Sequence, residues 1–346
     1  MRALADYDIE SLRAEFAGWG CKAAQADRVL LAFYRNAGHV DWAGLGLGRK
    51  LLACIHKHIA LRRSRILAQS QSSDGTLKLL LALERGGSVE TVLLRTSFPE
   101  RAAGCISTQL GCAMGCVFCA SAQGGLERDL EAGEMVEQFL HLKEKALASG
   151  RRVASVVFMG TGEPLLNFDN LIAAAKRIAG PGMGDVGSRQ ITVSTVGIVP
   201  GILKLAEANL NINLALSLHA PDDAVRSRIV PATRRYGVRE ILAATKRFYE
   251  LTGRITNIEY CLIASLNDSD AQARALAGLL DGFRAHVNLI PCNNIGAGFQ
   301  APSLERQQRF LSLLRERKVV AHLRRTRGSD VNAACGQLRA GLGLGT

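Results

Sequence analysis

Residues 104–120 read GCISTQLGCAMGCVFCA. A short β-rich run ending at glycine reads as a strand feeding a loop. On that loop Cys112, Cys116 and Cys119 stand with three and then two residues between them. Three thiolates so spaced can hold three irons of a 4Fe-4S cluster, leaving the fourth iron open to an aminocarboxylate such as that of S-adenosylmethionine. The competing reading is a zinc site, which usually wants four N or S ligands. No nearby fourth ligand completes the run. Cys105, seven residues upstream of Cys112, would have to leave its strand to join the metal.

Downstream, β-rich stretches alternate with amphipathic ones, the signature of βα units and a parallel sheet. The strand candidates are GCISTQ (104–109), VASVVFMG (153–160), RQITVST (189–195), INLALSLH (212–219), ITNIEYCLI (255–263) and HVNLIP (286–291), with VVAHLRR (319–325) as a late extra. Helices such as GEMVEQFLHLKEKAL (133–147) and VREILAATKRFYEL (238–251) lie between them. Six units predict an α/β fold, an open (βα)6 partial barrel over residues 99–346, with its active site at the C-terminal ends of the strands. Upstream, residues 1–60 carry apolar positions at helical spacing and predict a small helical domain that docks RNA. Residues 61–98 hold short β-rich runs separated by SSDG and ERGG turns, a linker hairpin or sheet.

The bulk numbers agree with a globular chain: 346 residues, 48% hydrophobic and 21% charged. No apolar run reaches the ~18 residues of a membrane span, so a cytoplasmic enzyme is expected. There nine cysteines speak for metal binding or catalysis rather than a disulfide framework. A net charge of +12 favours a polyanionic partner, since Lys and Arg gain affinity by neutralising phosphates. The basic groups include Arg62, Arg63 and Arg65, Arg151 and Arg152, Arg234 and Arg235, and Arg324, Arg325 and Arg327. A solubilising surface would look the same by charge alone.

Longer strings narrow the reading: VETVLL (89–94), CISTQLGCAMGCVFCA (105–120), FMGTGEPLLN (158–167), STVG (194–197), SLHAP (217–221), IPCNN (290–294) and RGSDVNAACGQL (327–338). CxxxCxxC with an aromatic before its last cysteine resembles the radical SAM superfamily. The strings in this order resemble the RlmN/Cfr family, which methylates an adenosine of 23S ribosomal RNA and, in some members, of transfer RNA. The resemblance runs from about residue 20 to the end.

It implies that Cys112, Cys116 and Cys119 are cluster ligands and that Gly162, Glu163, Ser194, Ser217, Leu218, His219 and Asn293 form the S-adenosylmethionine pocket. It makes Cys335 the methyl-carrying cysteine. An adenine ring carbon is too poor a nucleophile for direct methylation, so the methyl is placed on a thiolate first. A second S-adenosylmethionine, two per turnover, then supplies the 5′-deoxyadenosyl radical that activates the S-methyl group. By the same resemblance Cys105 resolves the RNA adduct through a transient disulfide with Cys335, and Glu90 accepts the ring proton. A strand-surface ion pair is the other reading of Glu90. An electron donor such as flavodoxin and a monomeric state are expected.

C2 of the adenine is the favoured target, with C8 the nearest alternative. A radical enzyme acting on a protein, such as a glycyl-radical activase, would have no use for Cys105 and Cys335. A non-catalytic iron-sulfur RNA-binding protein would not need a pocket spread over Ser194, Ser217 and Asn293. Gly336 and the upstream basic run predict an accessible, thiolate-favouring site for Cys335. Cys21, Cys54, Cys261 and Cys292 read as core or incidental. Thr161, Cys292 and SAQGGLERDL (121–130) depart from the family pattern on loops expected to face the nucleotide.

Overall fold

The computed structural model describes residues 1–295, 298–324 and 326–338, and the side chains of all of these except 233 and 234. Arg325 and the side chain of Arg234, in two of the basic groups, therefore lie outside the described residues.

Strand β1 (Arg2–Ala3) pairs in parallel with β2 (Ile59–Ala60), closing off three helices, α1 (Ile9–Gly18), α2 (Gln25–Arg35) and α3 (Arg49–His58). In α2, Val29, Leu30, Phe33 and Tyr34 fall on one face at helical spacing and are fully buried. The same apolar cluster contains Phe16 of α1, Phe139 and Leu140 of α4 (Ala132–Ala148), and Phe158 of β9 (Arg152–Phe158). The helical segment thus packs directly on the α/β part.

Residues 64–105 supply β3 (Ser64–Gln71), β4 (Leu77–Leu83), β5 (Ser88–Arg95) and β6 (Arg101–Cys105), paired antiparallel in sequence. β6 then pairs in parallel with β9, so the β-rich stretch runs into the main sheet. From β9 the sheet continues in parallel through β10 (Ile191–Thr195), β11 (Asn213–Ser217), β12 (Thr256–Leu262), β13 (Ala285–Pro291) and β14 (Val320–Leu323). VVAHLRR is therefore a seventh parallel strand. The strand expected at 104–109 instead ends at Cys105, and Gln109–Gly111 form β7, which pairs antiparallel with β8 (Leu126–Asp129). The cysteine loop is the excursion between those two short strands.

Covering the sheet are α4, α5 (Phe168–Ala179), α6 (Val199–Glu207), α7 (Asp223–Ile229), α8 (Val238–Thr252), α9 (Asp270–Leu279) and α10 (Leu304–Glu316). Central strands buried on both faces explain the near-continuous apolar runs: Leu214, Leu216, Ile258, Leu262, Val287 and Leu289 are fully buried. Ser269 caps α9 by accepting from Gln272 N, and Gly253 ends α8 at φ 68°. The parallel strands β6, β9, β10, β11, β12 and β13 thereby deliver their C-terminal ends to the same rim. No described helix is long and apolar enough to cross a membrane.

Candidate active site

The cysteine loop is fixed at both ends. Gly111 turns into it at φ 71°, where an added Cβ would fall 1.9 Å from the Gly125 carbonyl oxygen, and Cys112 N donates to that oxygen at 2.8 Å. Val117 N donates to Ile229 O of α7 at 3.0 Å, and the Phe118 ring packs edge-on to His219 with centroids 4.7 Å apart.

Burial pushes the Cys112 thiol up to about 11, with Cys119 and Glu163 adding repulsion against the N–H groups of Met114 and Gly162. Burial also raises Cys116, with Cys119 and Cys112 next among its causes. Three thiolates would repel in this shared space unless positive charge lay among them. This donor set fits an iron-sulfur cluster, which binds thiolates and brings that charge. Among the described residues no three His, Cys, Asp or Glu side chains, the loop cysteines included, gather around one ion. The possible fourth ligand, Cys105, packs instead with Ala333 and Leu338, on either side of Cys335 in sequence.

The expected cofactor-pocket residues line the strand ends. Gly162 follows β9 at φ 109°, and a Cβ there would meet Gln109 Cβ at 2.6 Å. The Glu163 carboxylate accepts from Val196 N at 2.8 Å and Leu165 N at 3.1 Å, and burial raises it to about 7. Ser194 and Ser217, on adjacent β10 and β11, bring their hydroxyls to 3.3 Å. Leu218 is fully buried, its N–H donating to Glu259 O at 3.0 Å.

His219 sits at φ 62°, and its Nδ1 accepts from Cys261 N at 3.0 Å, which places the ring proton on Nε2. Burial, with Arg226 nearby, lowers it to about 3, so it is neutral. Asn293, after β13, donates from Nδ2 to Cys335 O at 3.0 Å.

Cys335 is therefore held over this rim from two sides. Gly336, at φ 81°, accepts at its carbonyl from Ala120 N at 2.7 Å, and an added Cβ would lie 2.7 Å from Phe118 O. Ser121 Oγ donates to Leu338 O at 2.7 Å. Beneath lies Cys105 at the end of β6, in one apolar cluster with Ala333 and Leu338. Burial, then the charge of Cys335, pushes Cys105 up to about 12. Glu90, on β5, is buried and ion-paired to Lys78 Nζ at 2.7 Å.

Cys335 is exposed, as an accessible thiol should be. Desolvation by the rim groups around it nevertheless raises its thiol, and the lowering by Arg324 is opposed by Glu259 and Cys119, which does not favour the thiolate. Thr161 is 2% exposed, and its hydroxyl lies 3.3 Å from that of Ser121, the first residue of SAQGGLERDL.

Cys261 and Cys292, read as core or incidental, are core residues: both are buried in the apolar cluster that contains Cys112, their thiols bonded to each other. Two groups were missed. Arg226 of α7, 1% exposed, donates to the carbonyls of Leu218 (2.9 Å), Ser217 (3.4 Å) and Val196, and burial lowers it to about 10. Glu259 is buried near Cys335, bonded by Asn288 Nδ2 at 2.8 Å. Only the Asp222 cap signal before α7 hints at any of these in the sequence.

A parallel α/β sheet carrying three loop thiols at its C-terminal rim defines a radical SAM enzyme, and the Radical SAM superfamily family model matches residues 106–276. A probable dual-specificity RNA methyltransferase RlmN 1 from Opitutus terrae is 49% identical over 343 residues, covering 98% of this chain and 97% of that protein. The RlmN of Thermotoga maritima is 39% identical over 341 residues, covering 98% of each. The crystal structure of a radical SAM methyltransferase from Sphaerobacter thermophilus superposes with a TM-score of 0.93 at 41% identity, covering 98% of this chain and 99% of that one. The chain belongs to the RlmN family and is an S-adenosylmethionine-dependent radical methyltransferase.

Proposed function

We propose that the protein methylates C2 of an adenine in 23S ribosomal RNA and in transfer RNA, carrying the methyl group on Cys335. The observation that supports this best is the docking of the Cys335 segment: Gly336 on the cluster loop, Cys335 O on Asn293, and Cys105 beneath. A thiol so placed meets both the cofactor pocket and solvent. When bound, the cluster and two S-adenosylmethionines per turnover supply a methyl group and a carbon-centred oxidant.

The chain's own residues do the rest. Cys112, Cys116 and Cys119 hold the cluster. Gly162 brings backbone close to the cofactor, Glu163 and Asn293 orient its amino-acid end, and Ser194, Ser217, Leu218 and His219 shape the nucleoside side. His219, kept neutral, adds no charge beside a cationic sulfonium. Glu90 takes the ring proton. Cys105, as thiolate, attacks the Cys335 sulfur and breaks its bond to the RNA-borne carbon, which leaves with the electron pair and takes up a proton as the new methyl group; the disulfide formed must then be reduced. The buried Cys105 thiol, pushed up to about 12, is a poor nucleophile until it gives up its proton.

Residues 1–60 serve as the RNA-docking element, 61–98 as the β-rich segment joining it to the barrel of 99–346, and the basic surface neutralises phosphates. The target base must leave its stack to reach the rim. A flavodoxin-type donor delivers the electron, and the chain works as a monomer in the cytoplasm.

Reconstituted protein, incubated anaerobically with a reductant, labelled S-adenosylmethionine and transcripts of each RNA, tests the product. Nucleoside mass spectrometry should find 2-methyladenosine from both RNAs. Finding 8-methyladenosine would assign C8, and label confined to one RNA would reject dual action.

A further inference from the structure

We propose that Lys78 is a positioning residue that ties Glu90 to the segment bearing Cys335, an inference that rests on the reading above. The turn between β3 and β4 grips residues 328–332: Asp74 accepts from Gly328 N at 2.9 Å, and Asp330 accepts from Ser73 N at 3.0 Å. Gly328, at φ 66°, packs so closely on Thr76 that an added Cβ would lie 2.9 Å from its methyl carbon.

These contacts alone would dock a turn. Lys78 does more, because its side chain is only 15% exposed and its ammonium has two partners of different kinds. It pairs with Glu90 Oε1 at 2.7 Å and donates to Asn332 O at 3.1 Å, three residues before Cys335. The Asn332 backbone is left-handed at φ 50°, so this carbonyl is presented by a turn that must be held.

Burying an ammonium is costly unless it is paired and hydrogen-bonded. A sheet needing only stability would place an apolar residue at 78, as it does at Leu80 on the same face of β4. The diagonal of Lys78 with Glu90 across β4 and β5 puts both on one sheet face, towards the C-terminal segment. Lys78 thereby fixes the distance between the proton acceptor and the methyl-carrying thiol. That distance matters when the methyl group moves to the ring and the ring proton leaves. It does not matter when Cys335 first takes its methyl, which needs no help from Glu90.

The test compares wild type, K78M and K78R as reconstituted protein in three readouts: amide exchange of residues 328–338, methylation of Cys335 without RNA, and transfer to RNA. K78M should exchange faster at 328–338 but not at α5, methylate Cys335 within about threefold of wild type, and lose about tenfold or more in transfer. K78R should restore most of both. In K78M/E90Q, transfer should be no worse than in E90Q, because the two side chains act as a unit.

Exchange and transfer both unchanged in K78M would overturn the proposal. Equal loss of both half-reactions without rescue by K78R would also overturn it, assigning Lys78 to general support of the fold. Should K78M not fold, E90Q reads the same tie, since removing the carboxylate's charge should loosen residues 328–338. Unmethylated wild-type Cys335 would instead sink the functional reading, and the exchange comparison would still decide whether Lys78 holds the segment.

Discussion

Gly162 and Arg226 show how differently two residues of one site announce themselves. Gly162 stands in a Gly-Glu-Pro loop after a strand, and its φ of 109° and closeness to Gln109 give the physical reason for glycine there. Gly162→Ala should lower iron loading and weaken S-adenosylmethionine binding by about tenfold or more, measured by iron content and equilibrium dialysis, because backbone at the cofactor must shift. Arg226 lies in a short helix with no motif, yet satisfies three strand-end carbonyls. Arg226→Met, which strands those acceptors, should cost about 2–4 kcal/mol in denaturant unfolding, and Arg226→Lys less. The cluster ligands were legible because spacing along one loop is a property of sequence. Arg226, Glu259 and the pairing of Cys261 with Cys292 were not, because only the fold brings α7, β12 and the end of β13 together.

The elements that carry the site were legible where periodicity is strong and obscure where pairing decides. α4 and α8 stand close to where their apolar spacing puts them. VVAHLRR reads as an extra because its seven residues include three polar ones, but pairing with β13 makes it a strand of the sheet. The run GCISTQ looks like one strand, yet the chain leaves the sheet after Cys105: Ser107 is fixed instead by Gln138 and by Glu90 O. The loop after β12 shows the same dependence on partners. Asn267, fully buried, donates to His219 O at 2.7 Å and to Cys261 O, and accepts from Ile263 N at 2.7 Å, joining the ends of β11 and β12. Asn267→Leu should cost about 3 kcal/mol in unfolding and raise the S-adenosylmethionine concentration needed for half-saturation, because His219 loses its support.

Across the whole molecule, charge and buried titration set the working conditions. With a net charge of +12, RNA binding should weaken steeply with salt, the logarithm of affinity falling linearly with that of salt concentration in filter-binding titrations. A flat salt dependence would contradict phosphate contact. Away from the site, burial and then Arg62 lower His141 to about 4, from an ordinary 6.5. Between those values the unfolded chain binds the proton and the folded one does not. Stability should therefore fall as pH drops from 6.5 towards 4, by up to ~1.4 kcal/mol per pH unit from this group, and His141→Gln should lack that component in denaturant titrations across the window. The central claim is that Cys335 carries the methyl group and Cys105 releases the product. Peptide mass spectrometry of anaerobically purified, reconstituted protein tests it most directly. The account predicts a methyl group on Cys335, none in Cys335→Ala, and a trapped RNA adduct on Cys335 in Cys105→Ala. Unmethylated Cys335 in a protein that still cleaves S-adenosylmethionine to 5′-deoxyadenosine would contradict it.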